Sequence, residues 1–294
     1  MGRKIEFDVN IDRLEIAYQY NESEVMDILS NLNENGEKQY DCFKIVKSNI
    51  QSEFEHNFDI ICDSLPSEEG EVHEINWGVL QWGSHRKKDI YISVSNEMFY
   101  NGTLPYLHYI DSELSLSFKK VNKLDIALDI NINLVRRFYK MLKDETYTPI
   151  IFNKAYADMT EKIPNLVNMG SGSRLRPYKN KSFDIRKQTR FKSLSLHCYD
   201  KLEEVKDNEF EKQYILDKVG LKPMFRLEIR SNADELNYTL EQMNIANEDL
   251  YHLLFNEPII SEVYFNLLDR VIRIKKGNKI LSLANCLINE INIR

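Results

Sequence analysis

Lys123-Leu124-Asp125-Ile126-Ala127-Leu128-Asp129 alternates with a period of two. That period marks a strand with one packed face, here Leu124, Ile126 and Leu128, and it leaves Asp125, Ala127 and Asp129 on the other. Two later stretches read the same way. In Leu194-Ser195-Leu196-His197-Cys198-Tyr199-Asp200-Lys201, Leu194, Leu196 and Cys198 face one side, while Ser195, His197, Tyr199 and Lys201 face the other. In Met224-Phe225-Arg226-Leu227-Glu228-Ile229-Arg230, Phe225, Leu227 and Ile229 are apolar and Arg226, Glu228 and Arg230 point away from them. Placed in one sheet, the three strands pack a common apolar face. The opposite face then gathers three carboxylates, an imidazole, a phenol and a lysine.

The rest of the chain extends this pattern. Ile5, Phe7, Val9 and Ile11, then Leu14, Ile16, Tyr18 and Tyr20, predict two strands turning near Asp12. Val25, Ile28, Leu29 and Leu32 follow helical spacing, ended by Asn33-Glu34-Asn35-Gly36. Pro66-Ser67-Glu68-Glu69-Gly70 reads as a surface connection, and strands are expected over 75–82 and 89–95 with a polar turn between them. An amphipathic helix bearing Leu134, Phe138, Met141 and Leu142 follows Asp129. From Asn232 onward the spacing of Leu236, Leu240, Met243, Leu250, Leu254, Val263, Leu267 and Val271 is helical. The expected class is α+β: a mostly antiparallel sheet with helices on one face and a helical C-terminal region. The divisions expected are 1–72, an N-terminal ββαβ-like region of the same unit; 73–231, the catalytic sheet region; and 232–294, the helical region.

The 294 residues are 43% hydrophobic and 29% charged, which is ordinary globular material able to bury a core. The net charge of −7 does not advertise nucleic acid, but it is spread unevenly. Residues 1–70 hold 6 Lys/Arg against 16 Asp/Glu, whereas 174–201 hold 9 against 2. This basic run interleaves Arg174, Arg176, Lys179, Lys181, Arg186, Lys187, Arg190 and Lys192 with Tyr178, Phe183 and Phe191. Arginine with stackable aromatics suits phosphate backbones and unpaired bases, so these eight residues are the DNA-binding candidates. The plainer alternative is a solvated loop. The lead-in Gly170-Ser171-Gly172-Ser173 lacks the context of a phosphate-binding loop and reads as a turn. No 18-residue stretch is predominantly apolar and uncharged, so no membrane helix is expected. Met1-Gly2-Arg3-Lys4-Ile5-Glu6 lacks the apolar run of a secretory signal, and Glu6 stands where a myristoylation motif wants Ser or Thr. Cys42, Cys62, Cys198 and Cys286 form no CxxC pair. The expectation is a reduced, cytoplasmic protein with no membrane partner.

Carboxylates converging from three strands offer hard oxygen ligands for Mg²⁺ or Mn²⁺, and His197 adds tolerance for a transition metal. A tyrosine beside such an ion can attack phosphorus while the metal neutralises developing charge. In a regular strand Asp125 and Asp129 lie about 13 Å apart, too far to share one ion. Either the strand bulges, or one aspartate ligates while the other orients a neighbour.

LDIALD, SLSLHCYDKLEE and FRLEIR, in this order, resemble the motifs of the "Rep trans" type of replication initiation factors. These are initiators of rolling-circle plasmids with relatives in mobile elements and filamentous phages. Members show R-h-D-h-A-h-D, R-h-Y-[ND]-K and R-V-E-h strands, where h is apolar. The match covers about 105 residues, Lys123 to Arg230. It implies a nickase-like fold and a site-specific, metal-dependent endonuclease of origin DNA, single-stranded or extruded at the nick site. Its tyrosine would form a 5′-phosphotyrosyl link, free a 3′-OH primer and later rejoin the strand. Carried over, Tyr199 is the nucleophile, Asp125, Asp129 and Glu228 form the acidic metal region for Mg²⁺ or Mn²⁺, and Lys201 contacts phosphate or leaving group. His197, two residues before the tyrosine where the family has arginine, is the third catalytic candidate. Lys123 likewise replaces the arginine before the first aspartate, and no His-h-His pair occurs among the six histidines. The resemblance further implies a host helicase partner and a homodimer.

Rival readings follow from the same residues: a relaxase of a mobilisable element, a DNA-binding regulator that kept the fold and lost the nuclease, or a structural protein whose polar strand faces are solvated. Trp77 and Trp82 are expected in the core, His85 in an exposed turn, and Cys198 as a packed thiol. The run Arg270-Val271-Ile272-Arg273-Ile274-Lys275-Lys276 is expected at a helix C-terminus, where the dipole favours positive charge. Tyr139 and Tyr178 are the nearest candidates for a second nucleophile.

Overall fold

A computed structural model describes residues 5–49, 51–63, 74–155, 167–168, 173–178, 181–187, 193–207, 213–220 and 223–289. The first elements are β1 (Phe7–Tyr18), α1 (Glu22–Ser30), β2 (Glu37–Gln39), β3 (Lys44–Lys47), β4 (His56–Asp63), β5 (Glu74–Trp82) and β6 (Ile90–Val94). There follow α2 (Asn96–Tyr100), α3 (Leu107–Glu113), β7 (Phe118–Ile130), α4 (Leu134–Leu142), β8 (Tyr147–Ile151), β9 (Lys154–Ala155) and β10 (Val167–Asn168). The site-bearing part comprises β11 (Ser173–Tyr178), β12 (Ser182–Lys187), β13 (Leu194–Asp200), α5 (Lys201–Asp207), α6 (Gln213–Val219) and β14 (Phe225–Asn232). The chain ends with α7 (Ala233–Gln242), α8 (Asn247–Leu253), α9 (Glu257–Val271), β15 (Ile272–Lys276), β16 (Lys279–Ser282) and α10 (Leu283–Asn289). The protein is thus a mixed α+β chain built on mostly antiparallel sheet. Among the described residues no helix is long and apolar enough to cross a membrane.

Two compact units share the chain: Met1–Asp12, Asp125–Ala246 and Asn256–Arg294 form one, and Arg13–Leu124 with Asn247–Phe255 form the other. The sheet of the second unit runs β7-β1-β6-β5-β4-β3-β2. At Gly78 the β4–β5 ladder slips, because Ile60 faces Gly78 while Ile61 faces Asn76, leaving Trp77 as the extra residue of a bulge. Gly78 has φ +155°, and a Cβ there would stand 2.5 Å from the Ser93 carbonyl oxygen, so the bulge accepts glycine alone. Trp77 and Trp82 are buried as expected, Trp82 stacking on Phe58. Helix α8 docks in this unit through the Asn247 side chain, which accepts from the Val121 amide at 2.7 Å, and through Tyr251 stacked on Phe118.

In the first unit the order is β10-β11-β12-β13-β14-β7-β1, with a smaller sheet β16-β15-β8-β9. Helices α4 and α9 cover one face of the larger sheet. Phe138 of α4 stacks on Phe183 of β12 with ring centroids 4.0 Å apart, and the Tyr264 hydroxyl of α9 donates to the Leu227 carbonyl of β14 at 2.9 Å. Leu196, Cys198, Leu227 and Ile229 are buried on this face, as their alternation predicts.

Three sequence expectations change. The N-terminal alternation belongs to one continuous strand, β1, without a turn at Asp12. Its buried positions run from Ile11 to Leu14 and Ile16, and the division between the two units falls at Asp12/Arg13. The C-terminal region is interrupted by the β15–β16 hairpin, so only Arg270 and Val271 of the basic run lie in α9. Ile272 and Ile274 alternate into the core, and Gly277 supplies φ +59° at the first position of a two-residue turn. Residues 173–178 and 182–187, for which a solvated loop is the plainer alternative in the sequence, form the strands β11 and β12, paired antiparallel. The expected connection at 66–70 and positions 170–172 of the lead-in fall outside the described residues.

Candidate functional site

Strand β13 lies between β12 and β14, and its register sets the polar face of the first unit. Tyr199 stands opposite Ser182 and Arg226, His197 opposite Asp184 and Glu228, and Ser195 opposite Arg186 and Arg230. These side chains share one face of the sheet. This face is not simply solvated: Asp129 and Arg226 are 0% exposed, Lys201 1% and Glu228 2%. Charges withdrawn this far from water have to be paired, and they are.

The deepest pair is Arg226 with Asp129. The guanidinium forks onto both carboxylate oxygens, Nε to Oδ1 and Nη2 to Oδ2, each at 2.7 Å, and its Nη1 reaches Asp12 of β1. Complete burial pushes the Asp129 carboxyl up, and Arg226 opposes that push. Two parallel charge-assisted bonds of this kind hold the aspartate as a carboxylate.

Above it sits the tyrosine. The Tyr199 hydroxyl donates to Glu228 Oε2 at 3.0 Å, and Arg230 Nε donates to Glu228 Oε1 at 2.5 Å. Asp125 adds its negative charge to the field that holds Arg230 protonated. Burial raises the Tyr199 phenol well above its ordinary value, Arg226 pulls it back, and Glu228 pushes it up again. The ground state is therefore a neutral phenol already bonded to a proton acceptor.

A third cluster completes the face. His197 Nδ1 lies 2.7 Å from Asp184 Oδ1 and its Nε2 lies 3.0 Å from Ser195 Oγ, while Arg186 bonds the other oxygen of Asp184. Burial alone would raise the Asp184 carboxyl, but His197 and Arg186 outweigh it and hold it below the usual range. An open groove runs past these groups, lined by Asp184, His197, Tyr199 and Arg230 and, on the α5 side, by Glu203 and Glu204.

The sequence candidates thus divide. Tyr199, His197 and Glu228 come together; Asp125 joins through Arg230; Asp129 is taken up by Arg226. Among the described residues no group of three or more His, Cys, Asp and Glu side chains is arranged to hold a metal ion. Arg226 pairs with Asp129, and Arg230 pairs with Glu228. Lys201 is buried and donates to Glu204 at 2.6 Å, and both its burial and Arg226 lower its affinity for a proton. It does not face the groove as a free phosphate contact. Of the basic run, Lys181 pairs with Glu203, Arg186 with Asp184 and Lys187 with Glu235. Lys179, Arg190 and Lys192 lie outside the described residues, as do the side chains of Arg174, Arg176 and Tyr178. Tyr139 is buried, with its hydroxyl donating to the Ser182 carbonyl at 3.3 Å, and Cys198 is a packed thiol.

Sequence reading missed the roles of Asp12, Asp184, Ser195 and Arg226. Phe183, Asp184, Ile185 and Arg186 alternate with period two, so the strand that carries Asp184 was visible beneath the charge of the segment.

No protein-family model matches the chain, and no curated protein matches it. Among solved structures it is similar to one described as the structure of a rolling circle replication initiator protein from Geobacillus stearothermophilus. The two share 12% identity and a TM-score of 0.44, over 97% of this chain and 95% of that one.

Proposed function

We propose that the chain is a DNA strand transferase that uses Tyr199 as its nucleophile. More particularly, the three motif strands support an initiator of rolling-circle replication that nicks and rejoins origin DNA. The observation that carries this reading is the Tyr199 hydroxyl donating to buried Glu228 at the edge of an open groove. Because burial keeps the phenol protonated, the proton has to leave as the oxygen attacks, and Glu228 is placed to take it. The Tyr199 oxygen bonds to phosphorus and the P–O3′ bond breaks. The 3′-oxygen departs and gains a proton, and the 5′-phosphate stays on the protein. The phosphodiester is conserved in the link, so rejoining is the same step run backwards.

Arg230, half exposed and beside Glu228, provides positive charge where a phosphate would enter. Mg²⁺ or Mn²⁺ dependence enters this proposal through the carboxylates of the three strands and the motif resemblance, and no step above is routed through a metal. The helicase partner and the homodimer likewise come from the resemblance rather than from any residue.

The test uses a supercoiled plasmid carrying the gene of this chain, incubated with Mg²⁺ or Mn²⁺ or with chelator, alongside Tyr199→Phe. A nicked circle whose 5′ end stays attached to protein, and which disappears with Tyr199→Phe, is the expected result. Nicking that survives the substitution refutes Tyr199 as nucleophile. Tight binding without nicking is what a regulator of the same fold gives.

A further inference from the structure

We propose that Asp184 and Ser195 are positioning residues that hold the His197 ring as the proton donor to the departing 3′-oxygen. The inference rests on the nicking reading above and deepens it. Glu228 is committed to the Tyr199 hydroxyl, so the leaving oxygen needs a separate proton source on the other side of the phosphate. Among the described residues, the lysine and arginine side chains lining the groove are Lys181 and Arg230. Arg230 cannot give up a proton in water, and Lys181 is an exposed side chain paired with Glu203. An imidazole releases a proton readily near neutral pH.

The ring is held from both sides. Asp184 Oδ1, 2.7 Å from Nδ1, is placed to accept a hydrogen bond from Nδ1–H and to stabilise an imidazolium, while Ser195 Oγ stands 3.0 Å from Nε2. Arg186, bonded to the second oxygen of Asp184, fixes the carboxylate in turn. His197 and Tyr199 are two residues apart on one strand face, a spacing of about 7 Å. Both side chains line the same groove, so a phosphate lying along it can meet the Tyr199 hydroxyl and the His197 ring together. In the forward step the Tyr199 proton goes to Glu228, the O–P bond forms, the P–O3′ bond breaks, and the Nε2 proton passes to the 3′-oxygen. In rejoining, neutral His197 takes the proton back from the 3′-OH.

The experiment measures single-turnover formation of the Tyr199–DNA link on two single-stranded oligonucleotides. One carries the natural 3′-oxygen at the nick site and the other a 3′-bridging sulfur, a leaving group that needs no proton. The proteins are wild type, His197→Ala, Asp184→Asn and Ser195→Ala. On the oxygen substrate we expect His197→Ala to lose on the order of 10²-fold or more and Asp184→Asn on the order of 10-fold, with a smaller loss for Ser195→Ala. On the sulfur substrate all three should fall within about threefold of wild type by the same argument. An equal loss on both substrates overturns the proposal and marks these residues as structural. Loss of the protein's thermal transition in Asp184→Asn is met by reading Ser195→Ala and His197→Ala on the same pair. A wild-type protein that links to neither substrate overturns the nicking reading and this inference with it.

Discussion

Replacing Arg226 with methionine tests the deepest part of the site. Arg226 and Asp129 are both fully buried, and the arginine makes two bonds to Asp129 and one to Asp12. Removing one member of a buried ion pair leaves a charge without compensation and costs about 3–5 kcal/mol. With a denaturant slope of about 2 kcal/mol per molar urea, the unfolding midpoint should fall by about 1.5–2.5 M. Neutralising the orphan should recover most of that, so Arg226→Met combined with Asp129→Asn is expected well above Arg226→Met alone. Burial already raises the Asp129 carboxyl with Arg226 in place, and removing Arg226 raises it further, so the folded form binds the proton more tightly still. The penalty therefore shrinks as pH falls and is largest above neutrality. Urea unfolding followed by far-UV circular dichroism at pH 5.5 and pH 8 measures all of this. Additive effects of the two substitutions, or a penalty equal at both pH values, would refute the pairing.

Two further outcomes are expected. Arg230→Gln should flatten the salt dependence of single-stranded DNA affinity by about 0.7 in log–log slope, whereas Lys201→Met should leave it unchanged because Lys201 is buried against Glu204; fluorescence anisotropy across a salt series measures both. In the second unit, burial raises the Asp111 carboxyl to about 7, with the Tyr18 hydroxyl 2.5 Å away and Tyr251 on its other oxygen. A carboxyl raised in the fold favours the folded state at low pH, and that contribution is lost as pH climbs from its unfolded value through about 7. Wild-type melting temperature should therefore drop between pH 5 and pH 8 by more than that of Asp111→Asn, and parallel profiles would remove Asp111 as the cause.

The strands of the site were legible because each has one apolar face buried under α4 and α9, and burial on one side enforces period two. Tyr199 and Glu228 could be put on the opposite, polar face from spacing alone, but their hydrogen bond required the register of β13 against β14, which no local pattern encodes. The fate of Asp129 was hidden for the same reason. A carboxylate on a polar face reads equally as a metal ligand or as an ion-pair partner until the neighbouring strand is known. The β15–β16 hairpin escaped because Val271 ends a helix and Ile272 begins a strand with no breaker between them. Its only local signal is Gly277, five residues further on. Charge misled in 174–192, where a basic average concealed the alternation that places Asp184 beside His197.

The Arg226 cluster has a consequence for Tyr199 that its contribution to stability does not explain. A buried ion pair is often no more stabilising than well-packed apolar side chains, so this one is poorly accounted for as a device for folding alone. Arg226 is the cross-strand partner of Tyr199, and its charge is what opposes the upward push of burial and Glu228 on the phenol. Being fully buried, it acts through its field and not by contact with DNA. Asp129 and Asp12 hold that field in place by fixing the guanidinium from two strands. The layers then have distinct tasks. In the proposed reaction the lower one makes a phenolate less costly at the moment of attack, and in the upper one Glu228 takes the phenol's proton while His197, on the same sheet face, gives one to the 3′-oxygen. A tyrosine on a solvated strand face has neither layer, which is why the burial of these charges, more than the presence of a tyrosine, marks the site.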